Sequence, residues 1–166
     1  MLVLGVDPGS RVTGFGLVEK TNNAVAYVHS GIIRFQTKTE FYKRIHRIFQ
    51  SVVELIDQYH PEEMAVEDLF YAKNVKSALK LGHARAAALI AAAQSGIPLY
   101  EYTPLEAKKA VGGFGRAEKE QVREMVKVIL SIREDPVLDA SDALAVAICH
   151  CNWSRFDQMK GVRTRS

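Results

Sequence analysis

Leu2 to Val6 reads LVLGV, a continuous apolar run of the kind carried by a strand covered on both faces. After Pro8-Gly9-Ser10, the residues Gly14 to Val18 predict a second strand. Ala24 to Phe35 alternates between apolar and polar positions, which predicts a third strand with Gly31 as a candidate bulge. Together these three predict an antiparallel meander. The period changes at Glu40. Ile45, Ile48, Phe49, Val52, Val53 and Ile56 fall at helical spacing up to Tyr59, and Pro61 closes the segment. Met64 to Val66 is a short apolar strand ending at Glu67, Asn74 to Gln94 a long helix, and Ile97 to Tyr102 another short strand. Pro104 opens a short helix that stops at Gly112-Gly113, Glu118 to Leu130 forms the next, and Asp139 to about Trp153 forms the last. Early strands followed by alternating helix and strand predict an α/β fold. Its mixed central sheet has about five strands, with helices on both faces. Residues 1–153 read as a single domain, and the polar, basic segment 154–166 as a disordered tail.

Composition narrows this picture only a little. At 166 residues the chain suits one domain with a sizeable core. No apolar run approaches the ~20 residues needed to span a bilayer, and no basic segment followed by a signal core opens the chain, so a cytoplasmic protein with no membrane contact is expected. The least polar stretch, Ala84 to Ala93, is alanine-rich and interrupted by Arg85. Cys149 and Cys151 are two apart in a helical segment and do not face each other, which argues against a disulfide or joint metal ligation. A net charge of +3 permits a nucleic-acid partner without requiring one.

The acids carry more information. Asp7 directly follows the apolar run, and Pro8 biases it toward extended backbone, so it belongs at a strand end. A lone buried carboxylate is expensive unless something pairs with it. Glu67 ends a second apolar strand in the same way, while Asp139 and Asp142 are three apart and share one face of the last helix. Three of them have an ordinary explanation, whereas Glu67, ending a short apolar strand, needs a partner. Asp7 suits an Asx turn, Asp139 an N-cap and Asp142 a first helical turn. If adjacent strands end at Asp7 and Glu67 and the helix packs beside them, the four acids converge. Their repulsion then calls for a cation. Oxygen-only ligands suit Mg²⁺ or Mn²⁺ rather than zinc, and two such ions can drive an in-line phosphodiester displacement.

The stretches DPGSRVTGFGLV, VEDLFYAKN, GGFGRAEKEQV and DASDALAVAICH occur in this order across nearly the whole chain. In this combination the sequence resembles the RuvC family of Holliday junction resolvases. The resemblance implies an RNase H-like fold and a homodimer. It also implies Mg²⁺-dependent resolution of four-way DNA junctions by paired symmetric nicks, in homologous recombination and DNA repair. The family's acidic quartet falls on Asp7, Glu67, Asp139 and Asp142, which would hold two Mg²⁺ per subunit, with Mn²⁺ able to substitute. Lys108 and Lys119 would lie near the catalytic centre, and Phe70 matches the aromatic of the family's junction-probing loop. Partnership with the RuvA–RuvB branch-migration complex follows from the resemblance alone.

Beside that resemblance, the basic and aromatic residues keep two readings. Phe70 and Tyr71 are either core aromatics in a strand-to-helix loop or a base-stacking wedge, with Lys73 and Lys76 as phosphate contacts or plain solvated lysines. Gly112, Gly113 and Gly115 form either a flexible connection or a close approach to a phosphate backbone, flanked by Lys108, Lys109, Arg116 and Lys119. The helix Asn74 to Gln94 is apolar on more than one side. It is either a central core helix or one packed on a symmetry mate, with Ala87 and Ala91 as trial interface positions. A catalytically silent junction binder and an actin-like nucleotide-binding module remain as alternative functions. The second needs two such domains and a further glycine-rich phosphate loop, which this chain does not supply.

Overall fold

A computed structural model of the chain describes residues 1–22, 24–36, 38–68, 74–113 and 118–160, the last seven of these by backbone alone. Three strands come first, β1 (Leu2–Asp7), β2 (Val12–Lys20) and β3 (Val25–Arg34), followed by α1 (Phe41–Tyr59) and β4 (Glu63–Glu67). Then come α2 (Val75–Ser95), β5 (Leu99–Tyr102), α3 (Pro104–Gly112), α4 (Lys119–Leu130) and α5 (Leu138–Lys160). The strands form one mixed sheet in the order β3-β2-β1-β4-β5. The β1–β2 and β2–β3 pairs are antiparallel, whereas β1–β4 and β4–β5 are parallel. The sequence-based expectation of an α/β mixed sheet covered on both sides therefore holds. Among the described residues no helix is long and apolar enough to cross a membrane.

Side chains alternate across a strand, so each face of the sheet has its own core. Leu4, Val6, Leu17, Met64 and Val66 pack with Ile48, Val52 and Ile56 of α1 and the buried alanines of α2. On the other face, Val3, Val18, Ala65 and Tyr102 pack with α3, α4 and α5. This period-2 sorting decides where the acids point. Asp7 continues the Val3-Gly5 series and Glu67 the Glu63-Ala65 series, so both belong to the α5 face.

Three expectations need correction. The irregularity in the β2–β3 pair lies where Leu17 pairs with His29 and Val18 with Tyr27, leaving Val28 as the extra residue; Gly31 pairs regularly with Phe15. The Phe15 ring covers Gly31, where an added Cβ would stand 2.8 Å from Cζ, so the glycine serves close contact rather than a bulge. Ala87 and Ala91 are buried against the protein's own sheet and α1, so they cannot face a mate. The outer stripe of α2 is formed instead by Val75, Leu79, Ala86, Ile90 and Ala93. Finally, α5 does not stop near Trp153 but continues through Ser154 to Lys160. That added stretch contains no glycine or proline, and the first breaker is Gly161. Residues 161–166 lie outside the described residues.

Candidate metal centre

β1 and β4 are parallel neighbours, and Val6 pairs with Val66. One step further along each strand brings Asp7 and Glu67 side by side at the carboxyl edge of the sheet, on the face that α5 covers. Open α/β sheets bind ligands at this kind of edge. Asp7 pairs with Gly14 of β2. The turn between them is closed by Thr13, a fully buried residue whose Oγ1 donates to the Gly9 carbonyl (3.0 Å) and accepts from the Gly9 N–H (3.2 Å).

The approach of α5 depends on small residues. A Cβ on Gly14 would stand 1.9 Å from the Asp139 carbonyl oxygen, and one on Gly5 would stand 2.2 Å from the Ala143 carbonyl oxygen. The start of α5 therefore lies directly on the strand pair that ends in Asp7. Asp139 and Asp142, three apart in its first turns, share one side of the helix.

The electrostatics of Asp7 and Glu67 reflect this crowding. Burial, the charge of Asp7 and the hydrogen bond shared with Asp7 push the Glu67 carboxyl up to about 9, with Asp142 adding to the effect. Asp7 is raised too, first by burial and then by the charges of Asp142 and Asp139. The hydrogen bond with Glu67 and the Lys119 ammonium oppose that rise. Both carboxyls are raised, so the pair favours sharing a proton, which offsets part of the repulsion. A second cation comes from Lys119 in the first turn of α4, whose Nζ donates to Asp142 Oδ2 at 2.6 Å. Burial alone would lower this ammonium. The bond to Asp142 and the charges of Asp142, Asp7 and Asp139 carry it above its usual value.

The contacts are pairwise: Asp7 with Glu67, and Lys119 with Asp142. Among the described residues no group of three or more His, Cys, Asp or Glu side chains stands together in an arrangement that could hold a metal ion. The donor chemistry nevertheless fits a hard divalent cation. All four candidate ligands are carboxylates, and a proton shared by two acids and an ammonium on a third mark where positive charge is needed.

The other expected site residues are scattered. Lys108 and Lys109 lie on α3, which packs against α5, but no ion pair among the described residues joins either to the carboxylates. Lys76 is exposed in the first turn of α2, where its backbone N–H caps onto Asn74. Phe70, Tyr71, Lys73 and Arg116 lie outside the described residues. Cys149 and Cys151 are free and buried, and burial pushes their thiols up to about 12 and 11, which leaves them inert.

Two features escaped the sequence reading. Gly5, Gly14 and Gly16 share one face of the β1–β2 hairpin, opposite Asp139, Ala143, Leu144 and Ala147 of α5. Glycines at a period of two opposite an alanine-rich helix are a signal that could have revealed this contact. Thr13 closing the turn after Asp7 has no such signal.

A family model described as crossover junction endodeoxyribonuclease RuvC matches residues 3–150. The crossover junction endodeoxyribonuclease RuvC of Geobacter sp. (strain M21) is 51% identical over 164 residues, covering 98% of this chain and 100% of its own length. That of Geobacter metallireducens is 52% identical over 152 residues, covering 92% and 93%. Among solved structures, T. thermophilus RuvC in complex with Holliday junction substrate matches with a TM-score of 0.88 at 35% identity, covering 94% of this chain and 96% of that one.

Proposed function

The chain belongs to the RuvC family of crossover junction endodeoxyribonucleases, and from that premise we propose that its carboxylate edge holds the divalent metal with which it cuts four-way DNA junctions. It is a Holliday junction resolvase with an RNase H-like fold. The observation that carries the metal assignment is the register that ends β1 at Asp7 beside β4 at Glu67, with the first turns of α5, which bear Asp139 and Asp142, lying on the same strand pair.

Asp7, Glu67, Asp139 and Asp142 would hold the ions, two per subunit, with Mg²⁺ as the metal and Mn²⁺ as a substitute. Held by these carboxylates, a divalent ion would supply Lewis acidity for activating a water and for stabilising charge on the leaving oxygen. The chain's own part is positioning and charge. β1 and β4 fix two carboxylates from rigid neighbouring strands, and α5 supplies two more from one helix face. Lys119, whose ammonium sits on Asp142, would offset charge developing on the phosphate by exchanging that bond for one to the substrate. Lys108 serves the same phosphate from α3. Phe70 and Tyr71 act as base-stacking platforms at the branch point, with Lys73, Lys76, Lys109 and Arg116 as phosphate contacts.

Resolution needs two cuts on symmetry-related strands, and one domain holds one centre. A C₂ homodimer supplies the second. The outer stripe of α2 fits that role. Val75 is 76% exposed, Leu79 60% and Ile90 59%, and nothing lies within 4 Å of a Cβ placed on Gly82, so two helices can approach closely there.

The test is Asp7→Asn assayed on a synthetic four-way junction, with binding followed in parallel. Nicking should vanish while binding survives, because removing a negative charge does not weaken attraction to phosphate. Nicking at the wild-type rate would overturn the metal assignment.

A further inference from the structure

We infer that Arg85 is a positioning residue for the metal centre, acting from the opposite face of the sheet by fixing the backbone that carries Glu67. The inference rests on Glu67 being a metal-holding carboxylate.

Arg85 is the one charge interrupting the alanine-rich half of α2, and it points to the sheet rather than to solvent, with its side chain 20% exposed. Its Nη2 reaches two carboxylates on different segments, Asp68 Oδ1 at 3.2 Å and Glu101 Oε2. Both acids follow from strand alternation. Glu67 and Tyr102 face α5, so their chain neighbours Asp68 and Glu101 turn to the α2 side. The Asp68 N–H also donates to the Tyr102 carbonyl at 2.7 Å, extending the β4–β5 ladder one step beyond Glu67. The peptide leaving Glu67 is thus held twice, by a backbone bond to β5 and by an ion pair to α2.

Stability alone is a poor reason for this arrangement. The Arg85 Nε is buried without a hydrogen-bond partner among the described residues. Leaving such a donor unsatisfied is unfavourable. Partly buried ion pairs are weak contributors to net stability, and specifying geometry is their better-attested use. Here the geometry specified is the end of β4, where a shift of the Glu67 carboxylate would be felt by any ion it shares with Asp7.

The direction of the effect separates positioning from simple electrostatics. Deleting a nearby cation should, through space, tighten binding of a divalent metal. Loss of positioning should weaken it. Mn²⁺ binding is titrated directly into the full-length protein without DNA, for wild type, Arg85→Met, Arg85→Lys, Asp68→Asn, Glu101→Gln and Glu67→Gln. Loss of an outer-shell partner costs metal sites about 10–100-fold in affinity. We expect Arg85→Met to weaken Mn²⁺ binding about tenfold, Asp68→Asn to match it, and Arg85→Lys to recover part of the loss. Glu101→Gln leaves the Arg85–Asp68 arm intact and should bind nearly as wild type. Junction cleavage by Arg85→Met should fall at limiting metal and recover at high metal. Unchanged or tighter Mn²⁺ binding by Arg85→Met, while Glu67→Gln loses it, would overturn the role of Arg85 alone. If Glu67→Gln also binds Mn²⁺ as wild type, the metal assignment itself fails. Should Arg85→Met not fold, Arg85→Gln decides in the same way, because it too removes the cation and through-space electrostatics alone would tighten Mn²⁺ binding.

Discussion

Glu63 and Glu67 stand at the two ends of β4, on the same face, against the same helix. Their partners could hardly differ more. Glu63 Oε2 meets His150 Nε2 at 2.5 Å, and His150 Nδ1 in turn meets the Tyr102 hydroxyl at 2.8 Å, with the Tyr100 ring 4.5 Å from the imidazole. The neutral imidazole with its proton on Nε2 satisfies both neighbours at once. Glu67 meets Asp7, feels Asp142, and among the described residues is compensated by the Lys119 ammonium. At one end of the strand the protein completes a carboxylate with its own side chains. At the other end acids gather without enough cations among the described residues to balance them. The first arrangement holds β4, β5 and α5 together, and the second suits an ion that is not part of the chain.

That contrast can be broken most forcefully at the edge itself. Asp7→Asn should reduce junction cleavage by more than the about 10–100-fold expected for losing an outer-shell partner, whereas Glu63→Gln should leave turnover at saturating metal within about threefold of wild type. Initial nicking rates on a synthetic junction compare the two. Next in size, Lys119→Met should cut turnover about 100-fold, the lower end of the range for losing one electrostatic stabiliser. It should also flatten the salt dependence of junction binding by about one unit of slope for the lost phosphate contact. Gel-shift titrations across a salt series measure the second effect.

Metal should stabilise one end of the strand only. Mg²⁺ at about 100 times its dissociation constant should raise unfolding stability by about 2.7 kcal/mol. That gain should persist in Glu63→Gln and disappear in Glu67→Gln, as read by thermal melts with and without the ion. At the other end, His150→Phe should remove the hydrogen-bond partner of the Glu63 carboxylate and cost about 1–3 kcal/mol. Its pH signature is the smallest effect. Burial lowers the His150 imidazole below its ordinary 6.5, against the hydrogen bond it donates to Glu63. The folded state therefore binds fewer protons than the unfolded state between that lowered value and 6.5. Stability present above about pH 6.5 is lost as the pH falls through that window. Denaturant melts between pH 5 and 8 should show this loss in wild type and not in His150→Phe.

Much of this architecture was legible in the residue pattern, because strands and helices here obey their periods. The LVLGV run, the helical spacing through Ile56 and the Pro104 helix start all correspond to elements at nearly those positions. The acids were legible for a different reason. Glu67 at the end of a short apolar strand needs a partner, and Asp7, which taken alone suits an Asx turn, ends a strand in the same way. What stayed hidden depended on contacts between distant segments. The face of α2 that turns outward is set by how α1 and the sheet cover the other side, so Ala87 and Leu79 cannot be ranked by composition alone. The Val28 irregularity depends on β2, not on any breaker within β3. The partners of Arg85 come from β4 and β5, and no local spacing announces them.

Direct titration of Mn²⁺ into the wild type, Glu67→Gln and Glu63→Gln tests the central claim most closely, since it asks which end of β4 holds the ion without passing through DNA cleavage. Wild-type affinity in Glu63→Gln together with at least about a tenfold loss in Glu67→Gln is the predicted result. Equal affinities in the two variants would contradict it.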